Sequence, residues 1–505
     1  MDQTSGATMF SATVVPESGL DRLSSILGVL SDIVWGPFVL IPLLLLTGLY
    51  LTARLKVLQI RTLPHALWLA FFRRTEKGAE GDISHYQALS TSLAATVGVG
   101  NIAGVATAIG IGGPGALFWM WVTGLLGMAT KYSEALLGVK YRERDARGQQ
   151  VGGPMFYLTN GVGGAFGLLL GTLFALFGAI AAFGIGNGVQ SHEVAGVVER
   201  TWGVDTWITG AVLVVLVGVV IIGGIKSIGR VTAGIVPVMC IAYVFAGIAI
   251  LIIFVGDLPD AIALVFSAAF TGESAVGGLF GSALLLTIQM GMARGMFSNE
   301  AGLGSGAISA AAAKTDQPVR QALVQMTQTF IDTIIVVSIT GLVLVVTGAY
   351  NATDADGLDG AVLTSWAFEQ GVGGTGTLIV AVGVVLFAYT TMLGWSYYGE
   401  RCLVYLVERL FGVRDEIVTN VVVYAYRVLF AGLLFVGAVV EADLVWTFSD
   451  IANGLMALPN LLGLLLLSGV VARETSKYMG IPNWKDPNAH VITDVRGNGG
   501  WRPAD

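Results

Sequence analysis

The sequence predicts an all-α polytopic membrane protein of about eleven transmembrane helices, ten of them forming two inverted halves of five. Three observations carry that prediction. First, of 505 residues 54 % are hydrophobic and only 12 % are charged, with a mean hydropathy of +0.76. A soluble domain carries about 25 % charged residues, so this chain cannot cover a globular surface with charge. Second, basic and acidic loops alternate along it. Third, one unusual tetrapeptide pattern recurs five spans apart, inside two apolar segments.

The apolar segments lie at about 33–53, 89–110, 115–140, 166–192, 207–225, 231–255, 278–312, 319–349, 375–408, 417–439 and 445–471. A helix needs about 20 apolar residues to cross the hydrocarbon. Cytoplasmic loops collect Lys and Arg. The first loop holds Arg54, Lys56, Arg61, Arg73, Arg74 and Lys77, and the third Lys140, Arg142, Arg144 and Arg147. Lys226 and Arg230 follow span five, Lys314 and Arg320 span seven, and Arg401, Arg409 and Arg414 span nine. Arg473 and Lys477 follow the last span. The alternate loops are acidic: Asp257, Asp260 and Glu273, then Asp354, Asp356 and Asp359, then Glu441 and Asp443. Arg200 is the exception. Eleven spans with the N-terminus outside and the C-terminus in the cytoplasm of a cell membrane fit this pattern. Residues 1–32 are then an extracellular segment without the features of a signal peptide. Residues 33–88 hold an extra first span and a basic cytoplasmic loop, and 473–505 a cytoplasmic tail.

The repeat is Asn101-Ile102-Ala103-Gly104 in span two and Asn299-Glu300-Ala301-Gly302 in span seven. Each sits in a Gly-rich interruption, Gly98-Val99-Gly100-Asn101 and Gly295-Met296-Phe297-Ser298-Asn299. The loop charges give spans two and seven opposite directions, so the repeat is inverted, with halves at 89–277 (spans 2–6) and 278–472 (spans 7–11). Inverted five-span repeats opened by discontinuous helices are a transporter architecture, with the site at the breaks. Unwound backbone in a bilayer survives only where it lines a cavity or is buried in protein. Its N–H groups favour a carboxylate. The alternative reading of the glycines is close helix packing.

At these residues the chain resembles the alanine or glycine:cation symporter family. The resemblance is carried by the stretch from Thr91 to Tyr141, by Arg294 to Arg320, by Gly152-Gly153-Pro154-Met155-Phe156-Tyr157 and by Leu393-Gly394-Trp395-Ser396-Tyr397-Tyr398-Gly399-Glu400-Arg401. It runs from about residue 30 to 475. It implies a LeuT-type fold with one extra N-terminal helix, and Na⁺-coupled uptake of a small neutral amino acid such as alanine or glycine. Three places depart from the family pattern. Val99 replaces a hydroxyl residue, Gly306-Ala307 replaces Ala-Pro, and Ser191-His192-Glu193 replaces Ala-Asn-Ser.

The substrate carboxylate is expected at the first break, Gly98 to Asn101, on backbone N–H groups of Val99, Gly100 and Asn101. In the second break Phe297, Ser298 and Asn299 offer an aromatic wall, a hydroxyl and an amide. Asn101 and Asn299 can equally cap the half-helices they begin. Asn187 and Gln190 share one face of span four; Asn187 reads as an interhelical hydrogen bond, whereas Gln190 matches a family position near the substrate. Trp395, well inside span nine, reads as a pocket wall. For Na⁺, which as a hard cation favours oxygen ligands, the resemblance implies the carbonyls of Ala94, Val97 and Phe387 with the hydroxyls of Thr390 and Thr391. Back-bonding of each Thr to its own helix is the alternative. Arg294, Glu300 and Asp332 are ionisable residues within spans, and such residues are functional by default. Glu300 is expected to pair with Arg294, and Lys131 with Glu134. Asp332 is either an ion-tuning group or a buried acceptor.

Other functions fit less well. Channel filters need rings around a symmetric pore. An intramembrane enzyme needs a ligand or nucleophile cluster, but the four His are scattered at 65, 85, 192 and 490, and Cys240 and Cys402 have no metal spacing. No GxxxxGK[ST] motif for ATP occurs, no organic cofactor is implied, and the net charge of −7 argues against a nucleic-acid face. Proton coupling, through Asp332 or Glu300, is the alternative to sodium.

Overall fold

The computed structural model describes residues 27–31, 33–36, 39–73, 76, 78–271, 280–352, 358–486, 491–492 and 502–503. In chain order the main helices are α1 (Leu40–Arg54), α2 (Leu58–Phe72), α3 (His85–Thr96), α4 (Ala103–Gly112) and α5 (Ala116–Lys140). There follow α6 (Gly164–Trp202), α7 (Thr206–Ile222), α8 (Gly224–Ile253), α9 (Leu258–Thr271), α10 (Phe280–Asn299) and α11 (Gly306–Ala311). The last are α12 (Pro318–Val346), α13 (Gly360–Val372), α14 (Gly374–Leu410), α15 (Glu416–Val439) and α16 (Ala442–Met479). The fold is a mostly helical, polytopic bundle.

Six helices are by themselves long and apolar enough to cross a membrane: α6, α8, α12, α14, α15 and α16. The bent pair α1–α2 would make a seventh. The difference from eleven has physical causes. The segments at 89–110 and 278–312 are each interrupted, as α3–α4 and α10–α11, α7 has only 17 residues, and α5 carries Lys131, Glu134 and Lys140 in its second half. The order of the helices along the chain otherwise follows the apolar segments.

The sequence reading missed three helices. It took the residues after Arg54 for a loop, but they form α2, set at 79° to α1. The elbow uses positive φ at Lys56 and Val57. α9 and α13 lie in segments read as acidic loops. Lys226 and Arg230 belong to α8 rather than to a loop before it, Arg200 lies in the last turn of α6, and Arg473 and Lys477 continue α16. Arg74, Lys77, Glu273, Asp354, Asp356, residues 1–26 and most of the C-terminal tail lie outside the described residues.

Local chemistry places the broken helices. Ser84 Oγ accepts from Gln87 N while Gln87 Oε1 accepts from Ser84 N, a reciprocal cap that starts α3 at His85. α3 packs on α8 and α14, and α10 packs on α4 and α5, so the two interrupted segments face each other across the centre of the bundle. Between α10 and α11, Glu300, Gly302 and Gly304 adopt φ of 56°, 104° and 81°. Glycine reaches that region without a Cβ clash; Glu300 does not have that freedom and is held there by contacts described below.

The family motif at Leu393–Arg401 runs from the breaks to a charge cluster at the other end of α14. Glu400 pairs with Arg401 and with Arg427, the latter at 2.7 Å. Asp145 accepts from Arg401 at 3.1 Å and from Arg147, just before the hairpin of Glu143–Arg144 with Gln150–Val151 closes. Beside it Glu76 pairs with Arg320 at 3.1 Å and His85 at 3.4 Å. Burial alone would raise its carboxyl, but the His85 hydrogen bond and the Arg320 charge outweigh burial and hold it below the usual range.

Gly304 is a tight point of the second break: a Cβ there would lie 2.4 Å from Pro154 Cγ, at a φ of +81°. Gly304→Ala is therefore expected to destabilise the protein by roughly 1–3 kcal/mol. A lowered thermal midpoint of the purified protein in detergent checks this; an unchanged midpoint would show that the break is looser than drawn.

Candidate functional site

The first break begins where α3 ends. Val97 closes its last turn, donating to Leu93 O at 2.7 Å. Gly98 N then donates to Asn101 Oδ1 at 2.9 Å, and Asn101 N returns to Gly98 O at 3.1 Å. This small loop satisfies the groups that the broken helix sets free. Val99 N is satisfied from outside: it donates to Gln190 Oε1 at 3.2 Å. Gln190 is fixed in turn, since its Nε2 donates to Ile185 O at 2.8 Å. It follows a widened, π-type turn at Gly184–Gly188, a feature common at functional sites. Asn187, within that turn, donates to Phe430 O at 2.6 Å and so holds α6 against α15.

The second break is filled differently. Glu134, on α5, accepts from Gly302 N at 2.9 Å and Gly304 N at 3.1 Å with one carboxylate oxygen. The same oxygen accepts from Asn460 Nδ2 at 2.8 Å. Lys131 Nζ lies 3.9 Å from the other oxygen and donates to Glu300 O at 2.9 Å. The expected Lys131–Glu134 pair is therefore present, but its work is to bind the break. Glu300 does not pair with Arg294. Its Oε1 accepts from Trp395 Nε1 at 2.6 Å and its Oε2 from Ser305 Oγ at 2.5 Å, which holds the residue at its positive φ.

One element serves both breaks. α12 widens into π-type turns over Phe330–Val337, and its adjacent residues Asp332 and Thr333 receive the two repeat asparagines. Asn101 Nδ2 donates to Asp332 Oδ1 at 2.8 Å, and Asn299 Nδ2 to Thr333 Oγ1 at 3.1 Å. Asn299 Oδ1 accepts from Ala301 N at 2.9 Å, so each asparagine takes a backbone N–H of its own break. Ser298 Oγ also reaches Asp332, at 2.9 Å. Gly100 packs where a Cβ would meet Phe297 Cδ1 at 3.0 Å and Ser298 Cα at 3.3 Å. The two breaks touch there.

The oxygen cluster expected beside the first break is assembled in part. Thr391 Oγ1 lies 2.9 Å from Ala94 O and 3.0 Å from Phe387 O. Thr390 Oγ1 bonds back to Phe387 O at 3.0 Å and faces Met239 Sδ at 3.7 Å. Thr391 thus joins α14 to α3, whereas Thr390 bonds back to its own helix and faces α8. A Cβ at Gly98 would lie 2.4 Å from Thr391 Oγ1, so the oxygen cluster and the first break adjoin.

Aromatic rings close the other side. Phe297 packs on Trp446 with centroids 4.9 Å apart and the rings tilted by 37°, and Arg294 lies over Trp446 at 4.7 Å. Arg294 pairs with Asp450, Nη1 to Oδ1 at 3.1 Å and Nη2 to Oδ2 at 3.1 Å. Trp446 Nε1 donates to Glu193 Oε1 at 3.3 Å, so one of the family departures touches this cap. Trp395 is fully buried against Gly186, where a Cβ would lie 2.0 Å from its own Cβ. Sequence reading missed Trp446, Asp450 and Glu134's role in the break. Asp450 carried a signal, being acidic within an apolar span; Trp446 carried none that separates it from an interfacial anchor.

Two broken helices that cross at a buried polar centre, inside a polytopic bundle, define a membrane transporter. The comparisons narrow that class. The family model described as the sodium:alanine symporter family matches residues 20–489. The chain is 51 % identical to the sodium/alanine symporter AgcS of Methanococcus maripaludis, over 92 % of this chain and 99 % of that one. It is 35 % identical to the putative sodium/proton-dependent alanine carrier protein YrbD of Bacillus subtilis, over 92 % and 96 %. The fold is similar to that of MhsT crystallised with L-phenylalanine, a LeuT-type structure, at a TM-score of 0.51 and 14 % identity, covering 81 % of this chain and 92 % of that chain. The chain belongs to the sodium:alanine symporter family, a family of transporters and not of enzymes.

Phe297 is the aromatic side chain closest to Gly100 in this arrangement. Phe297→Ala is expected to relax discrimination against larger side chains by about 1–3 kcal/mol. Competition of a panel of amino acids against alanine uptake measures it. Equal loss of alanine and of larger competitors would remove Phe297 from the selectivity-determining wall.

Proposed function

We propose that this chain couples inward movement of Na⁺ to uptake of a small neutral amino acid, alanine or glycine, by alternating access in the cell membrane. The reading has eleven spans, N-terminus outside and C-terminus in the cytoplasm. The two inverted halves, 89–277 and 278–472, rock about the breaks. The observation that carries it is the contact between the first break and the Thr391 oxygens. A carboxylate that reaches the first break replaces the neutral Gln190 oxygen on Val99 N and meets the N–H of Gly100, with Asn101, whose own N–H donates to Gly98 O, beside it. The second break offers no equivalent place, because Glu134 already takes the N–H groups of Gly302 and Gly304 and would repel a second anion. Gly98 and Gly100 keep the substrate seat small, Phe297 and Trp395 wall it, and Ser298 and Asn299 give it polar contacts.

Na⁺ is held in this reading by the carbonyls of Ala94, Val97 and Phe387 and by the hydroxyls of Thr390 and Thr391. Thr390 must turn from Met239 to take part. The substrate's negative charge and the ion's positive charge then enter the bilayer centre together, which lowers the cost of burying either alone. Alanine and sodium are also the substrates in the name of the 51 % identical relative. A second reading, proton coupling within the same fold, is favoured by the buried Glu300 beside Trp395. It predicts alanine uptake driven by a pH gradient without Na⁺.

Replacing Thr390 and Thr391 by Ala is expected to raise the Na⁺ concentration for half-maximal alanine uptake roughly thirtyfold, since two lost oxygens at on the order of 1 kcal/mol each weaken binding by about 2 kcal/mol. Proteoliposome uptake against a Na⁺ series checks this, and unchanged dependence in a folded double mutant removes the ion from these residues. Gly100→Val is expected to abolish alanine binding, since the side chain enters the space of Phe297 and Ser298 and restricts the turn. The control is equal expression and monodispersity. A stable Gly100→Val protein that binds alanine normally would move the carboxylate off the first break.

A further inference from the structure

The tripeptide Ser191-His192-Glu193, one of the departures from the family pattern, follows Gln190 on α6. All three residues meet the same partner, the hairpin of α15 and α16. Ser191 Oγ bonds back to Asn187 O at 2.9 Å, and α15 closes on it at Gly437. A Cβ there would lie 2.4 Å from Ser191 Oγ and 2.7 Å from Gly188 Cα. His192 Nδ1 donates at 2.9 Å to the carbonyl of Val440, the residue that caps α15. Glu193 Oε1 accepts from Trp446 Nε1 at 3.3 Å, in the first turns of α16. Consecutive positions on a helix face about 100° apart, so the hairpin meets all three only by wrapping round this stretch of α6.

The third contact leads to the pocket. Trp446 packs on Phe297, and Phe297 Cδ1 is the nearest atom that a Cβ at Gly100 would meet, at 3.0 Å. The indole is held from two sides: the Arg294 guanidinium lies over its ring, and Glu193 takes its N–H. Arg294 and Phe297 both belong to α10, so they can move together with the ring they touch. Glu193 instead ties the indole to α6, the helix whose Gln190 holds Val99 N of the first break. A serine, which the family pattern has at this position, ends two bonds short of that reach.

We propose that Glu193 is a positioning residue that sets Trp446 against Phe297 and so narrows this chain's pocket to the smallest side chains. The inference rests on the reading of the breaks as the amino-acid site. With the indole tied to α6, Phe297 has no room to withdraw from Gly100. With the indole released, Phe297 can back away and the seat gains volume. The closed arrangement is then populated less, which lowers apparent affinity by the same fraction. Glu193 thus acts on substrate through two aromatic rings, without touching it.

The test is a double-mutant cycle on the full-length protein. Radiolabelled alanine bound in detergent is displaced by glycine, serine, valine and leucine, and alanine uptake is followed in proteoliposomes. Glu193→Ala is expected to weaken alanine binding about fivefold, as for one lost hydrogen bond, and to weaken valine and leucine less. The alanine concentration for half-maximal uptake rises in parallel, while the maximal rate is kept. Trp446→Phe keeps a ring, removes the N–H and is expected to do the same. The two changes together should do no more than either alone, because they remove one interaction. Glu193→Gln keeps an acceptor oxygen and is expected to recover most of the loss; Glu193→Ser replaces Glu193→Ala in the cycle if the latter is not monodisperse. Additive effects of the two changes overturn the proposal, as does equal weakening of alanine and leucine in a monodisperse protein. Should the parent bind another amino acid and not alanine, the alanine reading fails, and the same cycle measured with that amino acid still decides the role of Glu193.

Discussion

A peptide group that leaves a helix inside a bilayer has no water to turn to, and the centre of this protein is organised by that fact. Two helices break, and each break frees N–H and C=O groups at a depth where an unsatisfied group costs several kcal/mol. The π-type stretch of α12 answers both at once. By widening over Phe330–Val337 it brings neighbouring residues, Asp332 and Thr333, to the two asparagines. Each asparagine then closes the backbone of its own break. The repeat at Asn101 and Asn299 is thus two halves of one hydrogen-bonded centre.

The halves are matched in pattern and unequal in charge. The second break is bound by a resident anion, Glu134, whose charge is offset by Lys131 and by the freed N–H groups. In the first the freed N–H of Val99 is bound by a neutral amide, Gln190, and the Asp332 carboxylate is met only through the Asn101 side chain. A neutral partner can be exchanged for an incoming carboxylate with a gain in electrostatic energy, and a resident carboxylate cannot. The aromatic and ionic cap of Phe297, Trp446, Arg294 and Asp450 lies on this same side. It shields the exchangeable break from the nearest arginine: Arg294 is committed to Asp450 and stacked on a ring.

Much of this was legible in the sequence, for reasons that belong to the bilayer. Long apolar runs could only be spans, and a Gly-rich interruption in such a run had to be tolerated for a purpose. Asn recurring at the same place in both interruptions marked the centre. Pairing across the fold was not legible. Arg294 and Glu300 are six residues apart and invited a local pair, yet Glu300 lies past the end of α10 at a positive φ, and the two meet different partners, Asp450 and Trp395. α2, α9 and α13 were missed because, at 15, 14 and 13 residues, they are too short to read as spans and lie next to charged residues. Thr390 and Thr391 are adjacent in sequence, but successive positions on a helix face about 100° apart, so only Thr391 reaches α3.

The unequal filling of the breaks also sets where inherited variation can act. Glu134 is gripped by Lys131, Asn460 and two backbone amides, so exchanging it would leave buried charges and donors without partners. Around the first break Gln190, Phe297 and Val99 are uncharged, and exchanging one of them for another neutral residue changes shape and polarity while leaving the ion balance of the core intact. A lineage can therefore drift from one cargo to another by neutral steps at one break, under the protection of a charge lock at the other. Relatives with different substrates would then be expected to vary most around Val99, Gln190 and Phe297, and least around Lys131, Glu134 and Asn460.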